Sequence, residues 1–439
     1  MLYQHALRPA LQQRAASGNP IRLGLLGCGS MGGDLIEQMR LLDGMEIAAI
    51  ADRRPEKIRQ QLLNAGITED RICHVSTLSE SEQAVSSGKI AITDNLDLIA
   101  RTEPLEAVID ATGKPSVGAQ HGLTAIRHGT HLVMMNVESD VTIGTFLHHE
   151  AQKNGVIYTL GAGDEPSSTM ELVHFVENMG FEVIAAGKGK NNPLNRQITP
   201  ADLIHEAETK KMNPRVLSEF VDGTKTMVEM TALANATGLR PDIAGMHGQA
   251  IGIEALHKTY IPKEHGGIFT RRGVVDYSVG HGVPPGVFVV AHIDSPRLCA
   301  RMEYLVLGEG PFYTFYRPYH LTSLEVPISC ARAVLYGVAD MTPRAAPVAE
   351  ATAKTKRAIA KGERIDGIGE TCYHGWILER TESDQKRAIP LGLLDGATAI
   401  RDIPVDTLLT YHDVIPNADD PIVKLRAEQD RIGQYVLSR

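Results

Sequence analysis

Two groups of polar residues in the middle of the chain have the types and spacing that anion binding and proton transfer require. Lys188 and Lys190 lie on the same side of a predicted strand, and Arg317, Tyr319 and His320 crowd a segment that prolines restrict. Ammonium and guanidinium groups bind phosphate through charge-assisted hydrogen bonds, and an imidazole carries a proton near neutral pH. We therefore predict that these residues contact a small anionic substrate, with Arg317 binding phosphate and His320 carrying the proton. The alternative for the two lysines is a positively charged surface turn.

Carboxylates suited to a divalent cation follow the last predicted strand of the first domain. Asp164 and Glu165 are adjacent there, and Glu229 offers a third carboxylate on a later predicted helix. Oxygen ligands of this type suit Mg²⁺ or Mn²⁺. The sequence predicts Asp164 and Glu165 as metal ligands, with a solvated acidic loop as the alternative.

A glycine-rich turn near the start of the chain predicts a dinucleotide site. Gly27, Gly29 and Gly32 form the pattern G-x-G-x-x-G directly after a predicted strand, and Ser30 and Met31 begin the following helix. The first glycine permits the tight turn, the second lets a pyrophosphate approach, and the third allows close packing of helix on strand. The helix N-terminus adds oriented N–H groups. The alternative is a glycine-rich turn without a ligand.

The residues that would contact the two ends of the dinucleotide lie on later strands. Asp52 ends the second strand, where an acidic side chain binds the ribose of NAD, but Arg53 and Arg54 follow at once and can clamp the 2′-phosphate of NADP. We predict NADPH in preference to NADH. Thr112 and Gly113, after a later strand, are predicted at the nicotinamide end.

These residues need a parallel sheet to bring them to one edge. Between residues 21 and 160, apolar β-rich runs alternate with helical stretches, which is typical of an α/β fold with a doubly wound parallel sheet of Rossmann type. The predicted strands are 21–26, 46–51, 107–110, 131–135 and 156–160. The chain divides into an N-terminal helix (1–20), a dinucleotide-binding domain (21–165), an α+β catalytic and dimerisation domain (166–344), and a C-terminal domain of short strands and turns (345–439).

Composition and charge restrict the partners. The 439 residues carry a formal net charge of -9, so the chain as a whole does not attract nucleic acid or an anionic membrane. Its five cysteines are scattered without a CxxC pair, which favours reduced thiols. We expect a cytoplasmic homodimer, with neither nucleic acid nor membrane as a partner.

Several motifs carry a resemblance to known families. The segments RLGLLGCGSMG, VIDATG and MMNVESD resemble the homoserine dehydrogenase-like oxidoreductases. Those enzymes carry a G-x-D-x-x-x-K element for the amino-acid substrate and hydride transfer, whereas this chain has Lys225 and Glu229 at the two charged positions after Gly223. This exchange of charge predicts that homoserine is neither bound nor oxidised, and that both residues serve a different substrate. The alternative is a solvent-exposed pair one helical turn apart.

The end of the chain completes the resemblance. AIAKGERI and IRDIPVDTLLTYHDV resemble the SAF fold, a compact β-clip. A homoserine dehydrogenase-like front joined to a SAF-like end resembles the DRL, or type II, branch of 1-deoxy-D-xylulose 5-phosphate reductoisomerase. That resemblance implies a small phosphorylated sugar as the substrate, with a divalent cation. It also implies an NADPH-dependent rearrangement and reduction that makes 2-C-methyl-D-erythritol 4-phosphate for isoprenoid synthesis. Two alternatives remain: another NAD(P)-dependent oxidoreductase acting on a polyol or sugar acid, and a non-catalytic nucleotide-binding sensor.

Overall fold

The computed structural model describes residues 6–437, with side chains described for residues 6–432. The strands, in chain order, are β1 (Ile21–Leu26), β2 (Met45–Ala51), β3 (Ile72–His74), β4 (Ile90–Thr93), β5 (Ala107–Asp110), β6 (His131–Met134), β7 (Tyr158–Leu160), β8 (Glu182–Gly189), β9 (Val274–Ser278), β10 (Val287–His292), β11 (Phe312–Arg317), β12 (Ala349–Thr355), β13 (Tyr373–Glu379), β14 (Thr398–Ala399) and β15 (Val414–Ile415).

The α-helices alternate with these strands in the first half of the chain and cluster in the second. They are α1 (Leu7–Ala16), α2 (Ser30–Met39), α3 (Pro55–Asn64), α4 (Leu78–Ser86), α5 (Leu96–Arg101), α6 (Pro115–Arg127), α7 (Val137–Lys153), α8 (Glu165–Asn178), α9 (Ile204–Lys210), α10 (Pro214–Asp222), α11 (Thr224–Thr237), α12 (Leu256–Thr259), α13 (Pro296–Tyr304), α14 (Val326–Tyr336), α15 (Arg380–Lys386) and α16 (Pro421–Leu437).

The chain forms two compact units. Unit 1 comprises the described parts of Met1–Asp164, Leu321–Thr342 and Leu425–Ser438, and unit 2 comprises Glu165–His320 and Pro343–Lys424. The boundaries predicted at residues 165 and 345 remain predictions, because contacts within a folded chain do not measure which parts fold independently. No described helix has both the length and the hydropathy that crossing a bilayer requires.

Unit 1 is built on the predicted parallel sheet. Its strand order is β3-β4-β2-β1-β5-β6-β7, and every pair of neighbours runs parallel. Fully buried aliphatic residues of β1, β2 and β5 form the core, as strands covered on both faces require. The chain order reverses between β1 and β5, which places a crevice outside the carboxyl ends of these two strands. The predicted α/β Rossmann class is confirmed.

Unit 2 contains a mixed four-stranded sheet, in the order β11-β10-β8-β9. Helices α8 and α11 pack on one face through a cluster that includes Val176, Met230 and Val289. The loops around α12 cover the other face, where Tyr260, Phe269 and Phe288 pack together. This sheet positions the second group of candidate residues.

The end of the chain departs from the prediction of short strands and turns. It forms α16, and the described residues of this helix from 425 onward belong to unit 1. The buried side of this helix includes polar side chains: Arg426 Nη1 and Gln429 Nε2 each donate to the Thr142 carbonyl oxygen at 3.1 Å. A surface helix is recognised in a sequence by an apolar stripe along one face. Because α16 buries polar residues, its stripe is incomplete, and the sequence did not predict the helix.

Candidate functional site

The glycine turn of unit 1 has the shape that a dinucleotide requires. A Cβ on Gly27, whose φ is +90°, would lie 2.7 Å from the Ala111 carbonyl oxygen, and a Cβ on Gly32 would lie 2.5 Å from the Gly27 oxygen. A Cβ on Gly29 would have no heavy atom within 4 Å. The outer glycines are therefore fixed by packing, and the middle one borders open space at the N-terminus of α2. Ser30 and Met31 open that helix, where no side chain caps the backbone N–H groups.

Asp52 is turned toward the backbone of this turn. Its Oδ2 accepts the Cys28 N–H at 2.9 Å, and its Oδ1 accepts the Arg54 N–H at 3.2 Å. Lys57, one turn into α3, donates from Nζ to the Cys28 carbonyl oxygen at 2.9 Å. The side chains of Arg53 and Arg54 are exposed. The sequence analysis missed Lys57, although its position soon after two arginines could have indicated it.

The next part of the sheet edge lies after β5. Asp110 is fully buried, and burial raises the pKa of its carboxyl to about 6. Its Oδ1 accepts the Thr112 N–H at 3.0 Å, and Asn136 Nδ2 donates to Thr112 Oγ1 at 3.3 Å. Gly113 follows with φ +65° and has open space at its Cβ position. Thr112 and Gly113 are thus held at the carboxyl edge of the same sheet as the glycine turn.

In unit 2, Lys188 and Arg317 lie at the same end of the sheet. Each pairs with Val287, Lys188 from β8 and Arg317 from β11, so their side chains lie on one face. Two strand spacings place their Cα atoms about 10 Å apart. Both cations contact α8: Lys188 Nζ donates to Glu165 Oε1 at 2.6 Å, and Arg317 Nη1 donates to Glu171 Oε2 at 3.0 Å.

Lys188 is buried between two carboxylates. It bonds to Glu165 and also to Glu229 of α11, and its side chain is 6% exposed. Burial by itself would lower the pKa of Lys188, but the two carboxylates outweigh burial and raise it above the usual value for lysine. With Lys188 protonated and both glutamates ionised, this group carries a net negative charge. The interpretation of Glu229 as part of a solvent-exposed pair with Lys225 is therefore wrong, because the fold buries Glu229 against Lys188.

The other predicted residues of unit 2 lie around this group. His320 Nε2 is 3.3 Å from Glu165 Oε1, and the Tyr319 ring lies 5.2 Å from the Arg317 guanidinium carbon. Lys190 donates to the carbonyl oxygens of Asn192 at 2.6 Å and Phe220 at 2.9 Å. Burial and the neighbouring Lys188 lower its pKa to about 8.

Both lysines are more buried than a positively charged surface turn would be. Lys188 donates hydrogen bonds to carboxylates, and Lys190 donates hydrogen bonds to carbonyl oxygens. Their contacts therefore differ from those of an open anion cradle.

The predicted metal ligands begin at the boundary between the units. Asp164 is the last residue of the first segment of unit 1, and Glu165 is the first residue of α8 in unit 2. Within unit 2, Glu165 and His320 bring a carboxylate and an imidazole together beside a negatively charged group. This donor chemistry fits a divalent cation.

Comparisons with known proteins agree on the class of enzyme. Residues 27–160 match the family described as "Homoserine dehydrogenase, NAD binding domain", and residues 163–326 match "Oxidoreductase DRL, catalytic domain". A comparison with curated protein sequences finds no match. The chain is an oxidoreductase of the NAD(P)-binding dehydrogenase type.

Solved structures to which this chain is similar include enzymes of several activities. 1-Deoxy-D-xylulose 5-phosphate reductoisomerase from Zymomonas mobilis in complex with NADPH is 15% identical, with 72% of this chain and 81% of that chain covered and a TM-score of 0.35. Scyllo-inositol dehydrogenase from Lactobacillus casei is 11% identical, with 62% and 73% covered and a TM-score of 0.37. A 3-ketoreductase from Actinomadura kijaniata is 14% identical, with 73% and 91% covered and a TM-score of 0.37. Similarities this low do not bear on the substrate.

Proposed function

We propose that this protein is an NADPH-dependent reductoisomerase that converts 1-deoxy-D-xylulose 5-phosphate to 2-C-methyl-D-erythritol 4-phosphate. The observation that carries the proposal is the buried group formed by Glu165, Lys188 and Glu229, which lies within the segment that matches the DRL catalytic domain. Such a rearrangement develops negative charge on oxygen and moves protons. It therefore needs fixed cationic donors and a proton carrier.

The unit 2 residues can divide this work between them. Lys188 stays protonated because two carboxylates face it. Its assigned role is therefore to provide a fixed positive charge. His320, whose Nε2 is 3.3 Å from Glu165 Oε1, is assigned to transfer the proton. Arg317, fixed by Glu171, supplies a guanidinium for a phosphate oxygen. Lys190 and Lys225 are assigned to orienting the substrate. Tyr319, whose ring lies against the Arg317 guanidinium, is assigned to covering that group.

The preference for NADPH is supported by the contacts of Asp52. Both of its oxygens already accept backbone N–H groups, so the carboxylate serves to brace the glycine turn. Arg53 and Arg54, which are exposed and follow it in the chain, and Lys57, which contacts the glycine turn, supply cations that suit the 2′-phosphate of NADP. The bound nucleotide would supply the hydride.

A divalent cation fits the same region of unit 2. Glu165 and His320 would hold it, and Asp164, which precedes Glu165, stays a predicted ligand. The cation would supply Lewis-acid stabilisation of developing negative charge on substrate oxygens. It would also compensate the net negative charge of the buried group.

A second candidate, oxidation or reduction of a polyol or sugar acid, is favoured by one observation. Lys188 and Lys190 are engaged by carboxylates and carbonyl oxygens, so they are poorly placed to bind a phosphate. A substrate that presents hydroxyl groups would suit carboxylates and ammonium groups better than a dianion would.

The test is consumption of NADPH by the purified protein with 1-deoxy-D-xylulose 5-phosphate, with and without Mg²⁺ or Mn²⁺. We expect metal-dependent turnover that Lys188→Met reduces by about 10²-fold or more. Lys210→Met, which removes an exposed lysine of the same unit, is the matched control. Turnover of polyols alone would favour the second candidate, and NADPH binding without turnover of any sugar would favour a sensor.

A further inference from the structure

Two cations of unit 2 contact one indole ring on the hairpin of β12 and β13, which lies outside the segments that match known families. The Arg196 guanidinium carbon and Lys354 Nζ each lie 4.7 Å from the ring centroid of Trp376. A Cβ on Gly245 would clash with this ring, so the loop at Gly245 fixes one edge of it. Arg196, Lys354 and Trp376 are here called the indole site.

Neither cation of the indole site is neutralised by a buried carboxylate. Among residues 6–432, no carboxylate lies within ion-pair distance of Arg196. Lys354 Nζ is 3.1 Å from Asp406 Oδ1, but the Asp406 side chain is 64% exposed, and an exposed ion pair contributes little. Lys188, in contrast, is held by two glutamates. The two cations of the indole site therefore remain available to an anionic ligand.

A buried histidine, His374, lies beside these cations. It pairs with Lys354 across the hairpin, so the two side chains lie on one face, and its ring centroid is 6.1 Å from that of Trp376. Its Nδ1 lies 3.0 Å from the carbonyl oxygen of the next residue, which can only accept, so Nδ1 carries the hydrogen. Burial lowers the pKa of His374 to about 4, and the charge of Arg196 adds to this effect. The ring is therefore neutral near pH 7.

The neutral ring of His374 presents a bare lone pair at Nε2. His374 is 1% exposed, and Nε2 has no hydrogen-bond partner among the described residues. A buried acceptor without a donor is costly, so such an atom needs an explanation. A hydroxyl group of a ligand would satisfy it, because a hydroxyl donates to a bare imidazole nitrogen.

The indole site lies at the opposite edge of the sheet from Arg317. Tyr277 of β9 pairs with Lys188 of β8. Burial raises the pKa of the Tyr277 hydroxyl, and the nearby charge of Arg196 partly offsets this effect, which places Arg196 at the β9 edge. Arg317 belongs to β11 at the other edge, three strand spacings or about 14 Å from Tyr277. The two arginines therefore serve different edges of the sheet.

We propose that the indole site and His374 together form a second ligand site, which binds a small hydroxylated anion such as a sugar phosphate or a sugar acid. The two cations bind the anionic group, and His374 Nε2 accepts a hydrogen bond from a ligand hydroxyl. The ligand reaches Nε2 by displacing one of the two partly exposed cations from the indole ring, and that cation then binds the anionic group. This inference goes beyond the proposed reaction and does not rest on it.

The first test uses the fluorescence of Trp376, the only tryptophan of the chain. The full-length protein without nucleotide is titrated with D-ribose 5-phosphate, D-ribonate, inorganic phosphate and D-ribose at constant ionic strength. We expect a saturable change with D-ribose 5-phosphate or D-ribonate, about tenfold weaker binding of inorganic phosphate, and no change with D-ribose. The tighter of the two sugar anions identifies the anionic group. No saturable change with either sugar anion, or equal binding of D-ribose, would overturn the proposal.

The second test identifies the side chains that bind the ligand. Arg196→Gln should weaken binding of the sugar anion about tenfold or more, and Arg364→Gln, at an exposed arginine of the same unit, is the matched control. His374→Asn keeps a donor in the place of Nδ1 but removes the acceptor at Nε2. It should therefore weaken binding of the sugar anion but not of inorganic phosphate.

Arg317→Gln distinguishes the indole site from the site proposed for the reaction, because it should leave the fluorescence titrations as in the wild type. Loss of the signal in Arg317→Gln but not in Arg196→Gln would place the ligand at the other edge of the sheet and refute the proposal. Equal losses in Arg196→Gln and Arg364→Gln would refute it as well. Unchanged binding by a folded His374→Asn would show that Nε2 does not contact the ligand, which contradicts the proposed site.

Discussion

Asp52 illustrates how the contacts of one residue can reverse what its type suggests. An acidic residue at the end of the second strand is the signal for NAD, but here the backbone of the glycine turn and of Arg54 occupies both carboxylate oxygens. Lys57 then joins Arg53 and Arg54 as a third cation, held at the Cys28 carbonyl oxygen. At this scale, the orientation of Asp52, and not its residue type, supports the proposed preference for NADPH.

Replacing Arg53 and Arg54 with alanine should weaken NADPH binding by about tenfold per lost charge-assisted contact, and Lys57→Met should add a similar loss. NADH binding should change little, because NADH lacks the 2′-phosphate. Titration of both nucleotides against the purified protein measures this, with Arg59→Ala as the control, since Arg59 lies on the same helix and pairs with Glu69. Equal losses for both nucleotides would contradict a 2′-phosphate site.

Asp140 should make the stability of unit 1 depend on pH. Burial raises its pKa to about 7, although the Tyr158 hydroxyl donates to Oδ1 at 2.6 Å. Because the folded pKa lies above the unfolded one, the contribution of Asp140 to stability is complete below about pH 4 and is lost as the pH rises through 7. The loss is about 1.4 kcal/mol per pH unit within that range.

The measurement is thermal denaturation of the wild type and of Asp140→Asn at several pH values between about 4 and 7. The variant stays neutral, so its stability relative to the wild type should increase with pH. Asp94→Asn, at an exposed position of the same unit, is the control. A difference between Asp140→Asn and wild type that does not change with pH would refute the assignment.

At the scale of elements, the glycine turn combines two separate requirements. Gly27 and Gly32 are needed for packing of β1, β5 and α2, whereas Gly29 borders open space. The pattern G-x-G-x-x-G does not distinguish these roles, because all three positions carry the same residue. The distances to neighbouring atoms distinguish them.

Two alanine variants should therefore behave differently. Gly32→Ala should lower the melting temperature, because its Cβ would lie 2.5 Å from the Gly27 carbonyl oxygen. Gly29→Ala should leave the melting temperature of the nucleotide-free protein unchanged but weaken NADPH binding about tenfold or more, because the methyl group enters the space near the phosphates. Melting curves with and without NADPH test both. Equal destabilisation by the two variants would contradict this division of roles.

At the scale of the whole molecule, the buried pair of Lys188 and Glu229 bears on the prediction that homoserine is not a substrate. The acidic residue at position 229 has a structural partner, because Glu229 is 1% exposed and forms an ion pair with Lys188. Lys225, one turn earlier on α11, would repel the ammonium of an amino-acid substrate.

We expect the purified protein to show no NADP-linked oxidation of homoserine and no binding of homoserine by calorimetry. Repulsion of the substrate ammonium costs several kcal/mol in a partly dehydrated site. Homoserine oxidation would refute this argument and would indicate that the protein is an amino-acid dehydrogenase. Glycerol of the same concentration serves as the control for nonspecific effects.

The sequence determined the parallel sheet and the turn that binds the nucleotide. Strands 21–26 and 107–110 were predicted with the bounds that the structure has. Both are mostly apolar runs next to glycine-containing turns, so local sequence pattern and glycine chemistry contain the necessary information. The predicted helix at the end of this turn follows from the same local rules.

Tertiary structure alone decided what the charged side chains contact. Lys188 and Glu229 are 41 residues apart in sequence, and no spacing rule predicts that β8 and α11 bring them together. The polar segment from Arg317 to Glu325 is also divided, with its first half in unit 2 and its second half in unit 1. A long side chain contacts partners that the fold brings from distant segments of the chain. Residue type therefore limits which interactions a side chain can make, and tertiary packing decides which of them it makes.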